Sequence, residues 1–213
     1  GPGVDKLFLE LAGRPVVAHT WQRFNDVADV AEIVLVVRAG QQPAFTDLAR
    51  RYGFHKPFRL VAGGAERQDS VWHGLAALSP QTQIVAIQDA ARPCTGAALI
   101  RATIAAARET GAAVAAQPVV DTIKESADGR LIDGTLDRRR LWAVQTPQTF
   151  QVDVIRRGLA EVRRRGLRVT DDTAACELIG QPVRLVAVPG ANPKVTRPED
   201  LPYVEQVLRQ GGA

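Results

Sequence analysis

Apolar residues along the chain fall into short continuous runs separated by amphipathic stretches. Glu32 to Val37 is an unbroken run, as expected of a strand buried on both faces. Arg59 to Ala62, Ile84 to Ile87, Ala112 to Ala116 and Val183 to Val188 read as further strands. Between them lie segments with apolar residues at helical spacing. Pro15 opens the first, which carries Val16, Val17, Trp21 and Phe24. Ala44 to Tyr52, Arg67 to Leu78 and Ala97 to Thr110 follow. Ile155, Leu159 and Val162 mark another helix, Asp171 to Ile179 a short one, and Leu201, Val204 and Leu208 the last. Strands that alternate with helices predict an α/β fold: a Rossmann-like, mostly parallel sheet flanked by helices on both faces.

The alternation breaks between Val119 and Val144, where no long apolar run occurs. Ile123 to Ser126, then Ala127-Asp128-Gly129, then Arg130 to Ile132 read as a hairpin around an Asp-Gly turn. We expect one domain over residues 1–213 with an arm inserted at 119–146. Gly1-Pro2 at the start and the lack of methionine suggest that the chain does not begin at a native start.

Composition narrows the class. Hydrophobic residues make up 46% and charged residues 23% of 213, ordinary for a globular protein. The net charge of +4 would suit phosphorylated substrates or nucleic acid. Aromatic residues are only 5%, too few for an evident base-stacking surface, so nucleic acid is not expected as the main partner. Cys94 and Cys176 form no C-x-x-C pair, and His19, His55 and His73 lack metal-ligand spacing. A cytoplasmic location is the expectation, with no membrane span or signal peptide visible.

Ligands of open α/β sheets bind at the carboxyl ends of the strands, and three segments there carry candidate chemistry. In the loop from Gly63 to Ser70, paired glycines would let a ligand approach the backbone, and amides at a helix start would bind a phosphate or a base. A plain strand-to-helix turn would look the same. In Asp89-Ala90-Ala91-Arg92-Pro93, Asp89 is placed to hold magnesium and Arg92 to grip phosphate. An internal Asp–Arg ion pair capping the next helix is the equal alternative. The third segment is scattered: Thr122 and Arg138 on the arm, Thr146 after it, then Thr170 and Lys194. These suit a phosphorylated polyol, but Thr170 or Asp171 could simply cap a helix, and Arg138 to Arg140 could be a solvated face.

Together these segments resemble the 2-C-methyl-D-erythritol 4-phosphate cytidylyltransferase family. The resemblance runs through Lys6-x-Phe8-x-x-Leu11-x-Gly13-x-Pro15, Gly63-Gly64-x-x-Arg67-x-x-Ser70-Val71 and Asp89-Ala90-Ala91-Arg92-Pro93. It continues in Asp121-Thr122-Ile123-Lys124, Leu136-Asp137-Arg138-x-x-Leu141-Trp142 and Gln145-Thr146-Pro147-Gln148. Thr170-Asp171-Asp172 and Lys194-Val195-Thr196-Arg197-Pro198-Glu199-Asp200 complete it. The resemblance implies a magnesium-dependent reaction of CTP with a polyol phosphate, methylerythritol phosphate, in non-mevalonate isoprenoid biosynthesis. Lys6 and Lys194 match the catalytic lysines. Gly63, Gly64, Ser70, Asp89 and Ala90 match positions around the nucleotide, with Asp89 as metal ligand. Arg92, Thr122, Arg138, Thr146 and Thr170 match positions around the sugar phosphate. A homodimer is implied, with the 119–146 arm reaching the neighbour's site.

The chain departs from the family pattern at its start. The family opens with a buried strand and a glycine-rich phosphate loop, whereas only Gly1 to Asp5 precede Lys6 here. An incomplete chain is the expectation; a genuine lack of the loop would point to a non-catalytic nucleotide-binding protein. Asp5, Gln88 and Ala65 stand where the family usually has proline, histidine and, in some members, aspartate. A ribitol 5-phosphate cytidylyltransferase is the nearest alternative on the same scaffold.

Overall fold

The computed structural model describes residues 5–210; Gly1 to Val4, and with them the expectation about the chain start, lie outside the described residues. The first turn, Lys6–Phe8, is 3-10. It is followed by a small antiparallel pair, β1 (Glu10–Leu11) and β2 (Arg14–Pro15), which the apolar pattern does not announce. Pro15 then caps α1 (Val16–Asn25). Next come β3 (Ile33–Val37), α2 (Gln42–Tyr52), β4 (Phe58–Ala62), α3 (Arg67–Ala76), β5 (Ile84–Ile87), α4 (Ala97–Thr110) and β6 (Ala112–Pro118). The arm holds β7 (Lys124–Glu125) and β8 (Gly134–Thr135). The chain returns through β9 (Trp142–Gln151), α5 (Val152–Arg164), α6 (Asp172–Glu177), β10 (Arg184–Ala187) and α7 (Leu201–Gln210).

The main sheet has the order β10-β6-β9-β5. β10 and β6 are parallel, while β9 runs antiparallel to both β6 and β5. β3 and β4 form a separate parallel pair. The α/β class holds, with β9 supplying the antiparallel component. β6 and β9 each carry five consecutive buried residues. Successive strand side chains point to opposite faces, so Ala112 packs with Phe150 and α5, and Ala113 with Ala106 and Ala107 of α4. Helices therefore cover both faces.

β3 and β5 are less buried than a strand covered on both faces would be. Both line a cleft of about 830 Å³ that separates the β3–β4 pair from the main sheet. One end of that cleft reaches Arg67, Ser70, Asp89 and Ala90. Val17, Trp21 and Phe45 also line the cleft and pack with Leu48 and Phe54 on the β3–β4 side, with Trp21 stacked on Phe54 at 4.4 Å.

The arm differs from expectation in register. Lys124 pairs with Thr135 and Glu125 with Gly134, so the strand returning to β7 is 134–135 and not 130–132. The Asp128 carboxylate accepts from the amides of Arg130 and Leu131, which turns the chain locally and widens the loop over residues 126–133.

Candidate active site

The site forms where β4 and β5 end. Asp89 follows β5, and its Oδ2 accepts from Lys194 Nζ at 2.9 Å and from Arg92 Nε at 3.2 Å. Burial pushes the Asp89 carboxyl up, but the hydrogen bonds and charges of Lys194 and Arg92 prevail and hold it below the usual carboxylate range. The Asp–Arg ion pair anticipated from the sequence is therefore real, and it is part of a larger cluster. Arg92 also donates to the Asn192 carbonyl at 2.6 Å.

Behind this cluster the framework is polar and well bonded. Thr146 on β9 is buried, and its hydroxyl accepts from the Asp89 amide at 3.1 Å. Asn192 Nδ2 donates to the Thr146 carbonyl at 3.0 Å and to Gln145 Oε1 at 3.1 Å, while its Oδ1 accepts from Thr95. Ala90 offers its carbonyl to Thr20 at 2.7 Å. No feature of the sequence marks Asn192, since an asparagine before a proline reads as an ordinary turn.

The glycine loop joins β4 to α3, whose Arg67 and Ser70 line one end of the cleft. Gly63 N donates to the Val37 carbonyl at 2.8 Å, tying the end of β4 to β3. Gly64 N donates to Ser70 Oγ at 3.0 Å, and Ser70 Oγ donates to the Glu66 carbonyl at 3.2 Å. A Cβ at Gly64 would lie 2.3 Å from the Asp69 Cβ, so glycine is required there by close approach. Asp69 accepts from the Glu66 amide and closes the first turn of α3.

Thr170 is exposed and lines a shallow pocket of about 410 Å³ with Glu66, Arg67, Gln68, Arg168 and Val169. Asp171, not Thr170, caps α6, its Oδ1 accepting from the Ala174 amide at 3.0 Å. The next residue, Asp172, is completely buried and receives both arms of Arg67 at 2.9 and 2.5 Å. Burial pushes its carboxyl up against the pull of Arg67. This pair carries no expectation from the sequence, although both residues lie in segments that carry the family resemblance.

Leu7, next to Lys6, packs against the cluster of Leu11, Val16, Ala91, Val195 and Val204, which includes the neighbours of Arg92 and Lys194. Lys6 itself makes no ion pair among the described residues. Thr122 and Arg138 stay apart from the cluster. Thr122 is exposed on the arm, and Arg138 donates to the Val120 carbonyl at 2.5 Å. Arg138 to Arg140 are exposed, as a solvated face would be.

A doubly covered α/β sheet with a glycine loop and a lysine–aspartate–arginine cluster at its strand ends defines a nucleotidyltransferase class. The family model described as 2-C-methyl-D-erythritol 4-phosphate cytidylyltransferase matches residues 1–210. The chain belongs to that family. It is 42% identical to the enzyme of that name from Pelotomaculum thermopropionicum, covering 99% of this chain and 90% of that one. The Desulforamulus reducens enzyme is 41% identical with the same coverage. Among solved structures, 4-diphosphocytidyl-2C-methyl-D-erythritol synthase from Anaerococcus prevotii superposes with a TM-score of 0.88 at 30% identity, covering 95% and 93% of the two chains. The Thermus thermophilus cytidylyltransferase gives 0.82 at 32% identity, covering 97% and 95%. These matches favour methylerythritol phosphate over ribitol phosphate as substrate. No described helix is long and apolar enough to cross a membrane.

Proposed function

We propose that this chain joins CTP to 2-C-methyl-D-erythritol 4-phosphate. A phosphate oxygen of the sugar attacks the α-phosphorus of CTP in line. The bond to the β-phosphate breaks, pyrophosphate leaves, and CDP-methylerythritol forms. The observation that carries this reading is the Lys194–Asp89–Arg92 cluster beside the Gly63-Gly64 loop, within a family match to residues 1–210.

In this reading Gly63, Gly64, Ser70 and Ala90 meet the nucleotide, where the glycines allow a base or phosphate to approach the backbone closely. Lys194 and Lys6 stabilise the charge that grows on the phosphates, the main demand of such a transfer. Arg92, Thr146 and Thr170 serve the sugar-phosphate side, with Thr146 acting from its buried place by holding the Asp89 amide. Magnesium fits beside Asp89. Its Oδ1 makes no hydrogen bond among the described residues, and magnesium commonly takes one carboxylate and completes its shell with water and substrate phosphates. No group of three ligating side chains among the described residues offers a protein-only cage, which agrees with an ion carried by the triphosphate. When bound, magnesium would neutralise phosphate charge.

The chain acts as one nucleotidyltransferase domain whose 119–146 arm pairs with a second copy. Val120, Leu131 and Ile132 on the arm are 77%, 72% and 66% exposed, an apolar face that a dimer would cover. Thr122 and Arg138 then reach the neighbour's sugar-phosphate pocket. A cytoplasmic setting accords with two unpaired cysteines.

The test offers purified protein CTP and magnesium with either methylerythritol phosphate or ribitol 5-phosphate and follows pyrophosphate release. Release mainly with methylerythritol phosphate is expected; preference for ribitol phosphate overturns the substrate, and none with either leaves nucleotide binding without turnover. Arg138→Ala should weaken sugar-phosphate use and spare CTP binding. Equal loss of both would contradict the assignment of the arm.

A further inference from the structure

The first turn of α3 grips the segment that carries Thr170. Gln68 Nε2 donates to the Leu167 carbonyl at 3.0 Å, and Gln68 Oε1 accepts from the Val169 amide at 3.1 Å. Glu66 pairs with Arg168 at 2.7 Å. Arg67 closes on both oxygens of Asp172. From the sheet side, Gln148 on β9 accepts from the Asp172 amide at 3.0 Å and donates to the Asp171 carboxylate at 3.0 Å. Thr170 stands in the middle of this grip and makes no hydrogen bond of its own among the described residues, so its neighbours alone set its place.

The same turn of α3 is fixed at its other side to the glycine loop, through Ser70 Oγ and the Gly64 amide. The helix start is thus shared between the nucleotide side and the Thr170 side. A bidentate Arg–carboxylate pair fixes direction as well as distance. Its buried carboxylate is a poor device for stability alone, since apolar replacements of buried ion pairs are often as stable.

We propose that Arg67 and Asp172 are a positioning pair that sets Thr170 against the glycine loop and so governs use of the sugar phosphate. This rests on the reading of Thr170 as a sugar-phosphate residue. The pair touches no substrate in this reading; it acts through the 167–172 segment. Misplacement by about 1 Å costs on the order of 100-fold in rate. Asp172→Asn keeps the shape and removes the charge. Arg67→Lys keeps the charge and removes the fork.

The test measures KM and kcat for both substrates, together with melting temperature, in wild type, D172N, R67K and R67K/D172N. D172N should lower kcat/KM for methylerythritol phosphate by roughly 10–100-fold and change the KM for CTP less than about threefold. R67K should fall between wild type and D172N. The double variant should lose little beyond D172N, because the two residues act as one unit. A purely structural role would lower the melting temperature and leave the ratio of the two KM values unchanged, and that result overturns the proposal. Should D172N not fold, Gln68→Ala loosens the same segment, and an unchanged sugar-phosphate KM in that variant equally overturns it. Wild-type protein that fails to use methylerythritol phosphate refutes the underlying function. Normal wild-type turnover with unaltered variants refutes only the positioning pair.

Discussion

Lys194→Ala separates catalysis from folding at one side chain. Lys194 Nζ lies 2.9 Å from Asp89 Oδ2, and its side chain is 38% exposed. An ion pair with that much water around it contributes about 0–1 kcal/mol to stability, and Asp89 keeps Arg92 as a second partner. For a chain of this size the melting temperature should therefore fall by no more than about 4 °C. Loss of one preorganised charge contact in a transition state costs about 100–1,000-fold in rate, roughly 3–4 kcal/mol. The catalytic effect should outweigh the structural one several times over. The assay is pyrophosphate release at saturating substrates, with melting followed in parallel. A loss below threefold, or one that tracks a large fall in melting temperature, would refute the role. The variant also has a signature in acid. Asp89 is held below its usual range, so its stabilising contacts are complete above the ordinary carboxylate range and disappear as pH falls through the lowered folded value. Without Lys194 that value rises toward the ordinary one, so the variant, already without this contribution, should lose less stability across the acid range than wild type does.

Gly64→Ala places a methyl 2.3 Å from the Asp69 Cβ and should cost about 1–3 kcal/mol in a denaturant titration while weakening CTP binding at least as much as sugar-phosphate binding. Phe150→Ala empties the centre of the cluster formed by Leu75, Ile155, Leu159 and Val162. It should lower stability by about 3–5 kcal/mol in calorimetry, against an expected loss below 1 kcal/mol for a surface residue. Asp200 accepts from the Thr196 hydroxyl and from the amides of Thr196 and Arg197, and these hold its carboxyl down at about 2. Its carboxyl carbon should titrate near that value by NMR. The turn over 196–200 should keep those bonds above the ordinary carboxylate range and lose them only as pH falls toward 2.

Helices with a clean apolar stripe were legible to within a residue or two: α1, α2 and α4 begin and end close to where their spacing predicts. β9 was not, because Gln145, Thr146, Gln148 and Thr149 break any alternation and Pro147 argues against a central strand. The structure shows why polar residues are tolerated there. Thr146 and Gln148 are buried but bonded to Asp89, Asp171 and Asp172. Pro147 lies where the register with β6 shifts, between the pairs Gln148–Val114 and Val144–Ala116, and just past the last pair with β5. Its missing N–H leaves no gap in either ladder. The individual candidates Asp89, Arg92 and Lys194 could be picked out by residue type and family resemblance. Their convergence on one carboxylate oxygen could not, since it depends on tertiary folding between segments distant in the chain. Arg67 and Asp172 meet across 105 residues and show no local signal at all.

Asn192 has a consequence for how the site meets its ligands. One side chain, 4% exposed, ties the loop before Lys194 to β9 and to Thr95, and its carbonyl holds Arg92. Rotamer freedom at this corner is therefore surrendered during folding and need not be surrendered again when a nucleotide arrives. The rim around Asp89 should keep nearly the same shape empty or filled. Adaptation to the second substrate then falls to the loops that Asn192 does not reach.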